Sequence, residues 1–325
     1  MSFSLDSAHC YAALQAHDPG YDGLFFVGVS TTRIYCRPVC RVRLPQADRC
    51  TFYASAAHAE QDGYRPCLRC RPELAPGSFR ANALGHTSRS AAEQIRTGLL
   101  AHSNTETLMN MLELRPPQFH QIIEREYGVN VTELETTQRL LLAKQLFTDT
   151  TLKINDIAHV CGFANAHHLD DAFTSRYRLN PLSLRKKHPD NEDNTLLLRL
   201  SYRPPLAWDA LIRFLCSRSN PRLSQIQNGA YLQTIDLDDC RGWIIAKQAV
   251  KQHQIQVQVS PSLLPCLAKL QERLRRLFDL DACPALVDAH LGDDAVLKPL
   301  IANYPGLRIP GTLDIFELGL RAILG

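Results

Sequence analysis

The chain has 325 residues, of which 45% are hydrophobic and 21% charged, and these fractions exclude an intrinsically disordered chain. The length favours about two or three domains, and the formal net charge of +3 says little about partners. No apolar run approaches the roughly 18 residues of a membrane span, and no secretory signal opens the sequence. We therefore expect a cytoplasmic protein without membrane contact, whose 11 cysteines are reduced thiols or metal ligands.

Four of the cysteines form two close pairs. Cys36 and Cys40 make the first pair, Cys67 and Cys70 make the second, and 26 residues separate the pairs. This spacing is typical of a structural four-thiolate zinc site, so we expect all four to bind one Zn²⁺. The other seven cysteines are scattered, and we interpret them as buried or incidental thiols.

Arginines surround both pairs. Residues 31–80 carry nine Arg, no Lys and four acids, a formal balance of +5. Guanidinium groups suit forked contacts to phosphate, and a zinc-bound thiolate stays deprotonated and can remain nucleophilic. The combination indicates a site that holds a polyanion against thiolates, although zinc that merely staples the fold would give the same spacing.

The cysteine motifs resemble a known family. "DGLFFVGVSTTRIYCRPVCRVR" followed by "TFYASAAHAEQDGYRPCLRCRPE" is similar to the N-terminal zinc domain of the Ada family, the methyl-phosphotriester acceptor of the bacterial adaptive response to alkylation. The resemblance spans about residues 10–75. It implies that Cys36 irreversibly takes a methyl group from an alkylated DNA phosphate. The DNA contacts predicted for this module, from the resemblance and from the crowded arginines, are Thr32, Arg33, Arg37, Arg43 and Arg65.

The middle of the chain is predicted to be helical. "RPELAPGSF" at 71–79 is a Pro- and Gly-containing break typical of a linker, and helical spacing runs from about Ala91 to Lys187. A helix from about Ile154 to Cys161 meets a Gly-Phe turn, and a second helix starts near Asn165, which can cap it. This pattern predicts a helix-turn-helix, with an ordinary helical hairpin as the alternative.

This segment is similar to AraC-type DNA-binding domains. "LMNMLELRPPQFHQIIEREYGVNVTELETTQRLLLAKQLF" matches their N-terminal half and "IAHVCGF", with the "RY", "NP" and "LRKK" that follow, their C-terminal half. The resemblance implies sequence-specific promoter binding, with RNA polymerase as a partner. Asp170 and Asp171 in the second recognition helix depart from the usual basic pattern. The predicted DNA contacts of this module are Asn165, His167, His168, Arg176 and Arg185.

The last third changes periodicity and predicts an α+β fold. Residues 195–205 alternate like a strand, 207–218 form an amphipathic helix, three further strand-like runs follow, and 263–280 has helical spacing. "YRPPLAWDALIRFL", "QERLRRLFDLDACP" and "PGLRIPGTLDIFELGLRAILG" resemble the N-terminal, TATA-binding-protein-like domain of AlkA-type 3-methyladenine DNA glycosylases. In that family the catalytic helical region follows this domain, whereas this sequence stops at Gly325. We therefore expect a truncated glycosylase part without activity.

The expected fold is therefore multidomain. A small α+β zinc domain is expected at 1–78, an all-α AraC-type double helix-turn-helix at 85–188, an AlkA N-terminal-like domain at 195–308, and the start of a helical domain at 309–325. The expected function is single-turnover methyl transfer from double-stranded DNA to Cys36, which switches on promoter binding and transcription. The alternatives are a zinc-stapled DNA-binding regulator without methyl transfer, and an alkyl-base glycosylase that needs a further C-terminal part.

Overall fold

The computed structural model describes residues 6–77, 105–185 and 195–324. The described residues fall into two compact units, bounded as Met1–Glu192 and Asp193–Gly325. The first unit holds a small sheet with flanking helices and a set of packed helices, and the second is α+β, which confirms the predicted multidomain fold. Among the residues described, no helix is long and apolar enough to cross a membrane.

The first module of unit 1 is built around a four-stranded sheet. In spatial order its strands are Cys50–Tyr53, Phe26–Val29, Ile34–Cys36 and Arg65–Pro66; the last two are parallel and the other neighbours are antiparallel. A carboxylate of Asp6 caps the first helix by accepting from the backbone N–H of His9 at 2.9 Å, and that helix buries Cys10 and Leu14. The elements are α1 (Ser7–Ala16), β1 (Phe26–Val29), β2 (Ile34–Cys36), β3 (Cys50–Tyr53), α2 (Ala56–Gln61) and β4 (Arg65–Pro66).

The second module of unit 1 is helical throughout the part described. Left-handed Gly128 (φ +74°) ends its second helix, and Asn130 then caps the long third helix by accepting from the N–H of Glu133 at 2.9 Å. Two sharp boundaries two residues apart fix the angle between these helices. The helices are α3 (Thr105–Met111), α4 (Pro116–Tyr127), α5 (Val131–Asp149), α6 (Ile154–Val160) and α7 (Ala166–Tyr177).

The predicted helix-turn-helix is confirmed between α6 and α7. Gly162 adopts a positive φ of 76° in the turn, and the Asn165 side chain caps α7 by accepting from the N–H of His168 at 3.0 Å. An aromatic contact packs helix α7 on α5: Phe173 lies edge-on against Phe147 of α5, with the ring centroids 5.8 Å apart. The capped start and buried face give α7 one fixed orientation on α5.

The two modules of unit 1 share a packed boundary. Ala57 of α2 joins the core cluster of Phe119 and Ile123, and the Ser55 hydroxyl donates to the Tyr127 carbonyl at 2.6 Å. Residues 71–77, where we predicted a linker to begin, belong to this boundary, because Arg71 pairs with Asp149 at the end of α5. Residues 78–104 and 186–194 lie outside the described ranges, and the predicted domain limits stay predictions.

Unit 2 contains a five-stranded antiparallel sheet and several helices, and the spatial order of its strands is Leu196–Ser201, Gln254–Val259, Cys240–Ala249, Ala230–Leu237 and Ser224–Gln227. Alternate residues such as Leu198, Ile244 and Val257 are fully buried, whereas their neighbours along each strand are polar or partly exposed. The strands are β5 (Leu196–Ser201), β6 (Ser224–Gln227), β7 (Ala230–Leu237), β8 (Cys240–Ala249) and β9 (Gln254–Val259). The helices are α8 (Trp208–Ser217), α9 (Leu267–Leu277), α10 (Pro284–Leu291), α11 (Leu297–Asn303) and α12 (Ile315–Leu324).

The predicted α+β character of this unit is confirmed, and helix α12 lies within the helical segment expected at 309–325, but three other elements were not predicted. Strand β6 reads Ser-Gln-Ile-Gln and has one apolar residue, so no alternation marks it, and it pairs as an edge strand with β7. Helices α10 and α11 were also missed. They bury few residues, so a stripe of buried apolar positions does not identify them.

Candidate metal centre and nucleic-acid interface

The sheet of the first module brings the four predicted cysteine ligands together. Strands β2 and β4 run parallel, with Tyr35 opposite Pro66, so their carboxyl ends place Cys36 and Cys67 side by side. The N–H of Cys67 donates to the Tyr35 carbonyl at 3.0 Å and locks this register. The second cysteine of each pair follows in a tight loop. All four Sγ atoms lie within 4.8 Å of one another.

This arrangement fits one zinc ion. A tetrahedron of thiolates at the usual Zn–S distance of about 2.3 Å has sulfur atoms roughly 3.8 Å apart, which the cluster can supply with small adjustments. Cys36, Cys40 and Cys67 are buried and Cys70 is half-buried, so the donors are shielded from water as in structural zinc sites. The prediction of a single four-cysteine zinc site is confirmed.

The four thiols compete for protons. The hydrogen bond between Cys36 and Cys40 raises the pKa of the Cys36 thiol, whereas thiol hydrogen bonds, the largest from Cys36, lower the pKa of Cys67. Burial, as the first cause, raises the pKa of Cys70. A divalent cation ends this competition because it coordinates every sulfur as a thiolate, so metal binding releases protons.

Arg37 is buried and forms hydrogen bonds to one ligand of the metal centre. Its backbone N–H donates to Cys70 Sγ at 3.3 Å, and its guanidinium donates to the Cys70 carbonyl at 3.1 Å. The same guanidinium forms a buried ion pair with Asp22, whose two side-chain oxygens accept from it. Arg37 is 7% exposed, so it positions the second cysteine pair, and its predicted DNA contact stays a prediction.

The other predicted DNA contacts of this module lie at the surface around the first cysteine pair. Thr32, Arg33 and Arg43 are exposed and Arg65 is half-buried. Arg33 has a left-handed backbone (φ +53°), its guanidinium lies 4.7 Å from the Tyr64 ring centroid, and it donates to the Asp62 carbonyl at 3.0 Å. These contacts hold the Arg33 guanidinium in place against Tyr64 and the residues before β4.

An apolar recess that sequence reasoning missed adjoins the metal centre. Val29, Val42 and Leu44 line it together with Cys36 and Cys40. The alternating valines of β1 were the available signal, but nothing in the sequence shows that their face meets the sulfurs. Apolar walls strengthen charge interactions at the thiolates, because they lower the local dielectric.

The predicted DNA contacts of the helical module fall into two groups. His167 and His168 are exposed in the first turn of α7, where His167 Nε2 lies 3.2 Å from a carboxylate oxygen of Asp171. Arg185 is exposed and donates to the carbonyl of residue 152. Two others are engaged within the fold: the Asn165 side chain caps α7, and Arg176 is paired with acids. All five DNA contacts stay predictions.

Fold and site together define a zinc-thiolate module packed on a helix-turn-helix, followed by a separate α+β unit. Residues 9–73 match the metal-binding domain of Ada, residues 108–187 match a helix-turn-helix domain, and residues 197–314 match the AlkA N-terminal domain. The chain therefore has the architecture of an Ada–AlkA fusion, as the sequence resemblance predicted.

Similar proteins carry repair and regulatory names. The chain is 31% identical to the "Probable bifunctional transcriptional activator/DNA repair enzyme AlkA" of Mycobacterium tuberculosis, over 98% of this chain and 65% of that protein. It is 33% identical to "DNA-3-methyladenine glycosylase 2" of Escherichia coli, over 39% of this chain and 43% of that protein. The solved DNA methyl phosphotriester repair domain of E. coli Ada is 38% identical, over 26% of this chain and 95% of that one, with a TM-score of 0.21. The chain thus spans 65% of the length of its mycobacterial relative.

Proposed function

We propose that Cys36 accepts a methyl group from a methylated DNA phosphate and that the helix-turn-helix turns this event into DNA binding. The observation that carries the proposal is the cluster of four thiols within 4.8 Å of one another, beside exposed arginines. The match of residues 9–73 to the metal-binding domain of Ada supports the same activity.

The chemistry requires a strong, soft nucleophile and a held backbone. The Cys36 sulfur attacks the methyl carbon, an S–C bond forms, the C–O bond breaks, and the electron pair stays on the phosphate oxygen, which becomes anionic again. Zinc, when bound, keeps the thiols ionised at neutral pH. Arg33 and Arg43 lie at the surface, where they can bind the flanking phosphates. The product is a thioether, and no step returns the sulfur to its first state.

Methylation changes the electrostatics of the centre. A thioether replaces a thiolate, so the module gains about one unit of positive charge and repels the DNA backbone less. Helix α7 would then read the promoter through its exposed first turn, and contact with RNA polymerase would lead to transcription of repair genes. A single lesion would thereby be converted into a lasting regulatory signal.

A zinc-stapled regulator without methyl transfer is the second candidate. The burial of Cys36 favours this second candidate, because the residue is only 6% exposed. Cys70 is more exposed than Cys36. Transfer to Cys36 therefore requires that DNA binding opens a path to its sulfur. The presence or absence of a methyl group on Cys36 decides between the two candidates.

The test is intact-protein mass followed by peptide mapping, after zinc-loaded protein is incubated with methylated double-stranded DNA. We expect one methyl group on Cys36 and none on a second cysteine. Cys50→Ser is the matched control, because Cys50 lies outside the thiol cluster and should leave the transfer unchanged. If the fully folded, zinc-loaded protein gains no methyl group, the first candidate is wrong and the zinc-stapled regulator remains. Release of free alkylated base in the same reaction would show glycosylase activity.

A further inference from the structure

A buried carboxylate lies between the two modules of unit 1. Glu60, in α2, is 2% exposed. One of its oxygens accepts from the Tyr35 hydroxyl at 2.8 Å and from the Tyr177 hydroxyl at 3.0 Å, and the other accepts from the Thr137 hydroxyl at 3.1 Å. The Arg176 Nε atom lies 3.6 Å from that second oxygen. One side chain thus joins β2, α2, α5 and α7.

Packing alone does not require this group. An apolar side chain of similar volume would fill the space, and buried polar groups are often no more stabilising than apolar replacements. A carboxylate surrounded by converging donors differs from an apolar contact in one respect. Its energy depends on each donor staying within hydrogen-bond distance, so a small shift of one element is felt by the others.

We call Glu60 and its four partners, Tyr35, Thr137, Arg176 and Tyr177, the Glu60 hub, and this hub is attached directly to the metal centre. Tyr35 immediately precedes Cys36, and its carbonyl accepts from the N–H of Cys67 at 3.0 Å. The backbone of Tyr35 is therefore held by both cysteine pairs, while its hydroxyl is held by Glu60. Because of these two attachments, a movement of the cysteine ligands displaces the Tyr35 hydroxyl that donates to Glu60.

A second connection starts at the other cysteine pair. Arg71 immediately follows Cys70 and makes a two-pronged contact with Asp149, the last residue of α5, at 2.8 and 2.7 Å. Arg71 also donates to Glu73 at 2.9 Å, and Glu73 accepts from buried Lys144 of α5 at 2.6 Å. Tyr35, before the first cysteine pair, is thus connected to the helical module through Glu60. Arg71, after the second pair, is connected to it through Asp149.

We propose that these contacts transmit the state of the metal centre to the helix-turn-helix, with Glu60 as the positioning residue between Cys36 and α7. The inference rests on the proposed function, since it names how methyl transfer or metal loss reaches the recognition helix. These contacts provide a mechanical route from the metal centre to α7, in addition to the electrostatic effect of the change in charge. Tyr177 and Arg176 lie in the last turn of α7, so loosening the hub frees the end of that helix.

The test is peptide-resolved hydrogen exchange on the full chain, with zinc and after chelation. In the native sequence, chelation should lower the protection of α7 and of the C-terminal half of α5. Tyr177→Phe removes one hydroxyl and keeps the buried ring, and Thr137→Val removes the other donor on the helical side. In each variant the zinc-dependent change in α7 protection should shrink, by about tenfold, because one buried hydrogen bond to Glu60 is lost.

Tyr53→Phe is the matched control. Its hydroxyl donates to Asp62 at 2.8 Å within the zinc module, so it loses a similar bond without touching the boundary. Its α7 response to chelation should equal that of the native sequence. If chelation leaves α7 protection unchanged in the native chain, or if both helical-side variants respond like the control, the coupling is wrong. Methyl transfer is measured separately on the same proteins, so failure of the coupling and failure of the proposed function are distinguishable.

Discussion

Substitution of Lys144 by Met should destabilise unit 1 strongly. The Lys144 ammonium lies 2.6 Å from Glu73, and each side chain is 1% exposed. Removing one partner of a buried pair costs about 3–5 kcal/mol, because the remaining charge stays desolvated. Glu73 keeps a second cation, Arg71 at 2.9 Å, so we expect the lower end, about 3 kcal/mol. Adding Glu73→Gln should recover at least half of the loss, because it removes the stranded charge.

The assay is urea unfolding of the full, zinc-loaded chain, followed by hydrogen exchange of peptides from α5. Both tryptophans, Trp208 and Trp243, lie in unit 2, so their fluorescence gives an internal reference that should not shift. Arg49→Gln is the control, since its pair with Asp48 spans 3.4 Å at the surface and should be worth less than about 0.5 kcal/mol. A Lys144→Met loss no larger than the control's, or a double variant less stable than the single one, would refute the reasoning.

Three further outcomes are expected. Gly306→Ala should cost more unfolding free energy of unit 2 than Gly229→Ala, because both have φ above +70° but only the first would place a Cβ atom 2.6 Å from backbone; equal midpoints would contradict this. Burial raises the pKa of Glu60 from 4.5 to about 7, so its stabilising contribution is full below pH 4.5 and lost as pH rises through about 7. Relative to Glu60→Gln, the free energy of unfolding should fall by about 3 kcal/mol over that interval; a flat difference would argue against the shift. Finally, Cys67→Ser should lower zinc affinity and the melting temperature of unit 1, whereas Cys36→Ser should lose methyl transfer as well, as measured by zinc content, calorimetry and mass.

Local signals made much of the fold predictable. The cysteine spacing identified the ligands because a metal site needs the same donors wherever it occurs, and the structure brings them together. The turn at Gly162 and the cap at Asn165 located the helix-turn-helix, since both are short-range requirements of backbone geometry. Alternation along β7, β8 and β9 predicted the sheet of unit 2, because one face of each strand is buried.

The boundary between the modules was not predictable in this way. Glu and Lys side chains are rarely buried, yet Glu60 and Lys144 are 2% and 1% exposed. Thr137 lies 77 residues from Glu60, and Glu73 lies 71 residues from Lys144, so only the tertiary fold shows these contacts. The interior ion pair of Arg37 was hidden for the same reason: Arg37 lies in a basic run, and nothing nearby indicates that Asp22 pairs with it in the interior.

Salt separates the two routes by which the metal centre could influence DNA binding. A change of surface charge acts through solvent and weakens as the screening length falls from about 10 Å at 0.1 M salt to about 3 Å at 1 M. The Glu60 hub is buried, so ions screen it little. We therefore expect the methylation-dependent gain in promoter affinity to shrink with salt but to keep a salt-independent part, which Tyr177→Phe reduces and Tyr53→Phe does not. Fluorescence anisotropy with methylated and unmethylated protein measures both parts. A gain that vanishes fully with salt in the native chain would leave the electrostatic route as the whole effect.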